Sequence, residues 1–347
     1  MTKKNLFKII IFILICLFML KSLSYIMRTG GESKARFAGF YAEKRNSIDV
    51  LMIGSSTVGT SFSAPYMWDR YGFTSYPLST NSLRPKAIKY LIEEGLKYQS
   101  PDLIVIEMRT FIADDDEMAS DEGHVRETVD NMRYSFNRIR AINALTEKYE
   151  DKLPFYLDIM KYHSNWGSLL QPGEWLMFDY RKKNITKGFE YKKRRQLFRT
   201  DDTPAVYTDE RLEIPKDQEA VLRDLLQYLK DKGLNALFVV TPRADLESYE
   251  PQMNYCSDIV TEAGYDFLDL NFRYDDMGFD YRYDLDDGAH TNVWGAIKCS
   301  DALGRYINDN YPLKKTYSQS TISEWDKSYE YFSERVKEIE NEEENDQ

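Results

Sequence analysis

From Ser47 onward, short apolar runs alternate with segments whose apolar residues recur at helical spacing, and few folds accept that alternation. Asp49-Val-Leu-Met-Ile53 is a strand-length run that ends in Gly54, and Lys86 to Lys97 places Ile88, Leu91, Ile92 and Leu96 on one helical face. Pro101 to Met108 follows as a strand with apolar residues on both faces, as parallel strands covered by helices have. The same grammar returns after Pro215. A helix through Val221, Leu222, Leu225 and Leu229 stops at Gly233, and the strand Leu237-Phe-Val-Val240 follows. A further helix ends near Gly264, Phe267-Leu-Asp-Leu270 is the next strand, and a last helix runs from about Trp294 to Ile307. Together these predict an α/β domain with a doubly wound, mainly parallel sheet.

The N-terminus constrains location rather than fold. Lys3, Lys4 and Lys8 accompany an apolar stretch from Leu6 to Met27, long enough for the roughly 20 helical residues that a bilayer core requires. A cleaved signal peptide is the competing reading, but no small-x-small cleavage site follows, so residues 1–28 are expected to be an uncleaved transmembrane anchor. The basic flank would remain in the cytoplasm and place the rest of the chain outside it, a single-pass protein of the cell membrane. Residues 29–46 read as a short polar stalk.

Between the two βαβ halves (47–111 and 215–314), residues 112–214 have another texture. They open acidic at Asp114-Asp-Asp-Glu117, become helical and aromatic from Tyr134 to Trp175, and turn basic at Arg181-Lys-Lys183 and Lys192-Lys-Arg-Arg195. This predicts a helical insertion beside the carboxyl ends of the strands. Its basic stretch is either a solvated face or a contact for anionic headgroups or polymer. In 315–347, Ile322, Trp325, Tyr329, Phe332, Val336 and Ile339 form an amphipathic seam that either packs back on the body or docks a partner helix, before an acidic end. The formal net charge of −11 argues against nucleic acid as a partner. Cys16, Cys256 and Cys299 have no CxxC spacing, and a Cys256–Cys299 disulfide is not expected.

The chemistry rests on two segments far apart in the chain. A serine hydroxyl must pass its proton to a base as it attacks, so it needs a histidine within hydrogen-bond reach, steadied by an acid. Ser56 follows the first strand. Of the three histidines, His124 lies in an acidic loop-like stretch and His163 among aromatics, whereas His290 has Asp287 three residues before it and a helix just after it. Asp284 or Asp286 would be alternative orienting acids, and the spacing favours Asp287. The three aspartates lack EF-hand spacing and predict no metal site.

The Gly54-Ser55-Ser56 block, with Asp287-Gly-Ala-His290-Thr-Asn-Val-Trp-Gly-Ala296, resembles the first and last blocks of the SGNH (GDSL-like) hydrolase superfamily. It is most similar to the divergent membrane-anchored branch that includes teichoic-acid D-alanylation and alginate O-acetylation proteins. The resemblance covers Ser47 to Arg109 and Pro215 to Ile307 and implies a flavodoxin-like sheet. By position it implies Ser56 as nucleophile, His290 as general base, Asp287 as orienting acid, and the Ser56 N–H as one oxyanion donor. Two blocks depart from the pattern. The stretch Leu78 to Arg84 lacks the usual glycine, leaving Asn81 or Ser82 for the oxyanion. The strand ending Glu107-Met-Arg-Thr110 lacks the usual asparagine, and Arg109 stands in its place, either as a donor to an oxyanion or anionic substrate or as a salt-bridge partner.

The resemblance further implies an extracytoplasmic, cofactor-independent serine esterase or O-acyltransferase. Its acyl acceptor would be a cell-surface polysaccharide or teichoic acid, and a membrane-bound O-acyltransferase a partner. Hydrolysis differs from transfer only in the acceptor, so the residues leave both open. The two departures also leave open a non-catalytic envelope-polymer binding or assembly protein with a degenerate site.

Overall fold

The structure, a computed structural model, describes residues 2–28, 30–112, 121–178, 180, 182–195, 208–244 and 249–346. The acidic 114–117 and Arg181 lie outside these. Helix α1 (Lys3–Met27) is long and apolar enough to cross a membrane. Its side chains from Leu6 to Met19 are exposed, but Ser22 and Ser24 to Met27 are buried against the body. Arg28, one residue beyond, is buried too, and its Nε donates to Asp158 Oδ2 at 2.7 Å.

The segment expected to be a stalk is instead helix α2 (Glu32–Ala42), which is built into the core. Its Phe37, Phe40 and Tyr41 join the main apolar cluster. The charges that made it read as polar are buried with partners distant in sequence. Lys34 Nζ donates to Glu174 Oε2 at 2.6 Å, while the Arg36 guanidinium donates to the carbonyls of Gly188 (2.9 Å) and Ser79 (3.1 Å). Such pairing is what lets an ionised group remain in a core.

Strand β1 (Val50–Ile53) leads into α3 (Ser56–Ser61) and α4 (Ala64–Tyr71), which is closed by Gly72 in the left-handed region. The short edge strand β2 (Ser75–Pro77), α5 (Pro85–Leu96) and β3 (Leu103–Glu107) complete the first half. The insertion carries α6 (Glu122–Val129), α7 (Phe136–Leu145), the single turns α8 (Leu153–Tyr156) and α9 (Ile159–Tyr162), a 3₁₀ turn at Trp166–Leu170, and α10 (Pro172–Phe178). His124, expected on a loop, therefore lies within a helix. The second half runs α11 (Lys216–Lys232), β4 (Ala236–Val240), α12 (Glu250–Glu262), β5 (Asp266–Asp269), the turn α13 (Tyr274–Met277) and α14 (Val293–Asn310), and α15 (Gln319–Asp346) ends the chain.

Among the described residues the sheet has five parallel strands in the order β2-β1-β3-β4-β5, with Met52 opposite Val105 and Val239 opposite Leu268. Alternate residues serve opposite faces. Leu51, Ile53, Ile104, Ile106, Phe238 and Val240 pack with residues of α2, α5, α11 and α12. Val50, Met52, Leu103, Val105, Leu237 and Val239 pack with α3, α4 and α14. Cys256 belongs to the first face and Cys299 to the second, and both are free thiols.

The seam of α15 folds back on the body. Trp325 lies 5.8 Å from Trp68 on α4, and Phe332, Val336 and Ile339 cluster with Val293 and Ala296 of α14 and with Phe189. Several cations of the exposed basic stretch beside it are paired. Lys193 meets Glu342 at 2.9 Å, Arg195 meets Glu343 at 3.2 Å and stacks over Trp294, and Lys183 pairs with Glu324.

Candidate active site

The sheet order reverses direction beside β1, and the carboxyl ends of its strands carry the candidate residues, the position where open α/β sheets hold ligands. Gly54 ends β1 in contact with its neighbours. A Cβ added there would lie 2.3 Å from Val58 Cγ2 and 2.7 Å from Glu107 Cβ, so only glycine lets β1, α3 and the end of β3 meet. Ser55 stands at the N-cap position of α3, its hydroxyl paired with Thr57 Oγ1, and Ser56 is the first helical residue, so the Ser56 N–H lies outside the intrahelical ladder.

Ser56 Oγ is 2.7 Å from His290 Nε2, although the two residues are 234 positions apart. His290 Nδ1 lies 2.9 Å from both carboxylate oxygens of Asp287. With the Nδ1 proton directed at that carboxylate, Nε2 is the acceptor that faces the serine hydroxyl. Asp287 Oδ1 also accepts the backbone N–H groups of Ala289 and His290, each at 2.8 Å. Partial burial pushes the Asp287 carboxyl up, but those N–H donors and the imidazole outweigh it and hold it below the usual carboxylate range. The alternative acids are engaged elsewhere. Asp286 accepts from the Arg194 backbone N–H and guanidinium at 3.0 and 3.1 Å, and Asp284 pairs with Lys298 at 2.6 Å.

The loop that holds the histidine is braced on three sides. Leu285 and Thr291 form an antiparallel bridge, Asp286 N–H donates to the His290 carbonyl at 2.8 Å, and Thr291 Oγ1 donates to the Thr60 carbonyl of α3 at 3.0 Å. Asn292 caps α14 through the Gly295 N–H and donates to the Tyr283 carbonyl. Gly295 is again obligatory, since a Cβ there would sit 2.2 Å from the Asp284 carbonyl oxygen.

Arg109 is drawn to this loop. Its Nη1 donates to the Ala289 carbonyl at 2.8 Å and to Thr241 Oγ1 at 3.2 Å, while Thr241 donates to Glu107 Oε1 at 3.2 Å. These bonds tie the ends of β3 and β4 to the residue before His290, which makes Arg109 a brace. The other two oxyanion candidates follow β2 at its carboxyl end, next to Thr80, whose N–H donates to the Gly54 carbonyl at 3.3 Å. Asn81 donates its backbone N–H to Ser33 Oγ at 3.4 Å and lines a cavity of about 250 Å³ with Arg28, Lys34 and Arg126, and Ser82 is exposed with φ 47°. Among the described residues, no hydrogen bond joins either to Ser56 or His290.

Sequence reasoning passed over Glu107, Thr241, Thr291 and Asn292. Glu107 had a usable signal, a carboxylate closing an otherwise apolar strand. It is buried, and that burial raises its pKa above the usual range, with Oε2 lacking a partner. The insertion also flanks the site: Glu190 N–H donates to the Gly59 carbonyl at 2.8 Å, and Val293 N–H to the Lys192 carbonyl at 2.9 Å.

Hydrogen-bonded in series, the hydroxyl, imidazole and carboxylate can generate an alkoxide-like nucleophile and hold the proton it gives up. Comparison with known proteins finds no matching family model, no matching curated protein and no matching solved structure.

Proposed function

We propose that this chain is a membrane-anchored serine esterase or O-acyltransferase of SGNH type, working outside the cytoplasm on a cell-envelope polysaccharide or teichoic acid. The observation that carries this reading is the continuous Ser56–His290–Asp287 chain, with contacts of 2.7 and 2.9 Å, at the carboxyl edge of a parallel sheet in the order 2-1-3-4-5.

Ser56 Oγ attacks the acyl carbonyl carbon as its proton passes to His290 Nε2. The resulting imidazolium is stabilised by Asp287, and the Ser56 N–H donates to the oxyanion. Collapse expels the donor alcohol or thiol, which takes the proton back from Nε2 and leaves an ester on Ser56. An acceptor hydroxyl then gives its proton to Nε2 and attacks that ester, restoring the serine. If the acceptor is water the outcome is hydrolysis, and if it is a polymer hydroxyl the outcome is O-acylation.

The burial of Tyr25 to Arg28 supports an uncleaved anchor, because cutting there would remove residues from the folded body. A membrane-bound O-acyltransferase fits as acyl donor on the same reading. The missing glycine between Leu78 and Arg84 and the missing asparagine after Glu107 favour a second reading, a polymer-binding protein with an inactive site. A serine-directed fluorophosphonate separates the two. The full-length protein in detergent is expected to label, and Ser56→Ala to abolish labelling. Absent labelling, or equal labelling in Ser56→Ala, would leave only the binding reading.

A further inference from the structure

We propose that the part of the insertion from α9 through α10 is a collar that sits in the outer leaflet of the bilayer around the root of the anchor. The proposal rests on reading α1 as a membrane span. The exposed apolar stretch of α1, Leu6 to Met19, is about 21 Å long at 1.5 Å per residue. A hydrocarbon core of about 30 Å demands roughly six more residues, to about residue 25. Those residues are not free: Ser22 and Ser24 to Met27 are enclosed by α9, the Trp166–Leu170 turn and α10. The missing height must therefore be met by whatever those elements turn outward.

Alongside Lys161, His163, Ser164, Asn165 and Gln171, they turn outward large apolar side chains. Trp166 is 65% exposed, Leu170 77%, Trp175 44% and Leu176 47%. Their surface is continuous with the anchor, since Phe178 contacts the ring of Phe18, itself exposed on α1, and Leu169 packs on the cluster of Tyr25, Ile26 and Met177. The Trp175 indole N–H donates to the Leu169 carbonyl at 3.0 Å, so its exposed ring carries no unmet donor. Tryptophan at the rim with aliphatic residues below is the composition of a membrane interface. Lys21, exposed at the same level, is long enough to carry its ammonium to the headgroups.

Tryptophan fluorescence of the full-length protein in phosphatidylcholine vesicles tests this, with lipid brominated on the acyl chain near the headgroup. Of the five tryptophans, Trp68 and Trp325 are buried and Trp294 lies beneath Arg195, so quenching should come from Trp166 and Trp175. Bromolipid is expected to quench the native protein, and the Trp166→Phe/Trp175→Phe double variant to lose most of that quench. Phe12→Trp in the double variant, read with lipid brominated deeper in the chain, reports on the anchor alone. If Phe12→Trp is quenched but the native protein is quenched no more than the double variant, the collar is wrong while the anchor stands, and the apolar surface faces another protein. If Phe12→Trp is not quenched, the span and the collar fail together.

Discussion

At the scale of single residues, the proposed chemistry depends on Asp287 remaining ionised beside His290. Its two backbone donors and the imidazole lower its pKa, so its contribution to stability is present above the ordinary carboxylate range and is lost as pH falls through the lowered folded value. Asp287→Asn keeps the shape but no longer fixes the tautomer, and fluorophosphonate labelling should slow by roughly 10³–10⁴-fold. Asp269 has the opposite sign. Burial pushes its carboxyl up to about 7, with Oδ2 sealed and unpartnered. The unfolded chain releases that proton near pH 4 and the folded chain near 7, so stability falls as pH rises between them. Asp269→Asn is expected to flatten the melting temperature across that window in a thermal scan at several pH values. Gly54→Ala would press a methyl group into Val58 and Glu107, and should cost about 1–3 kcal/mol in denaturant unfolding.

At the scale of elements, what could be read from the chain was what local pattern encodes. The strands at Val50, Leu103, Ala236 and Asp266 announce themselves as apolar runs, and α11 by its periodicity and its Gly233 stop. Ser56, His290 and Asp287 were legible because each sits at a strand or helix end that those patterns locate. What stayed hidden depends on partners distant in sequence. Lys34 and Arg36 look like stalk residues until Glu174 and the Gly188 carbonyl arrive, and β2 is three residues long with a proline at its end, too short to show a period. Lys192 to Arg195 look like a free basic patch, but the charges that pair with Lys193 and Arg195 are on α15, some 150 residues later. The docking of that helix has a clear centre. Trp325 is buried against Trp68 with the Lys187 ammonium 4.8 Å from its ring, and Trp325→Ala should cost about 3–5 kcal/mol in urea unfolding.

At the scale of the whole molecule, the C-terminal end of α1, the insertion and the sheet share one packed body. Asn81, just beyond β2, reaches Ser33 at the start of α2, so α1 joins the body on the carboxyl side of the sheet, the side that carries Ser56. If α1 is retained, the mass of the protein purified from membranes should include residues before Arg28, and an N-terminus beginning after it would contradict the anchor. Arg28 shares Asp158 with Arg138 and Tyr134. Arg28→Ala leaves that carboxylate one cation short but not alone, so the cost should fall near the lower end of the roughly 3–5 kcal/mol for breaking a buried pair. This ion pair stands where a flexible tether would have to bend. A leashed enzyme sweeps a volume and offers each acceptor an effective concentration set by the leash. One bolted at its base works at a single height, and on the proposed function its acceptor hydroxyls would be chosen by their distance from the bilayer before they are chosen by their chemistry.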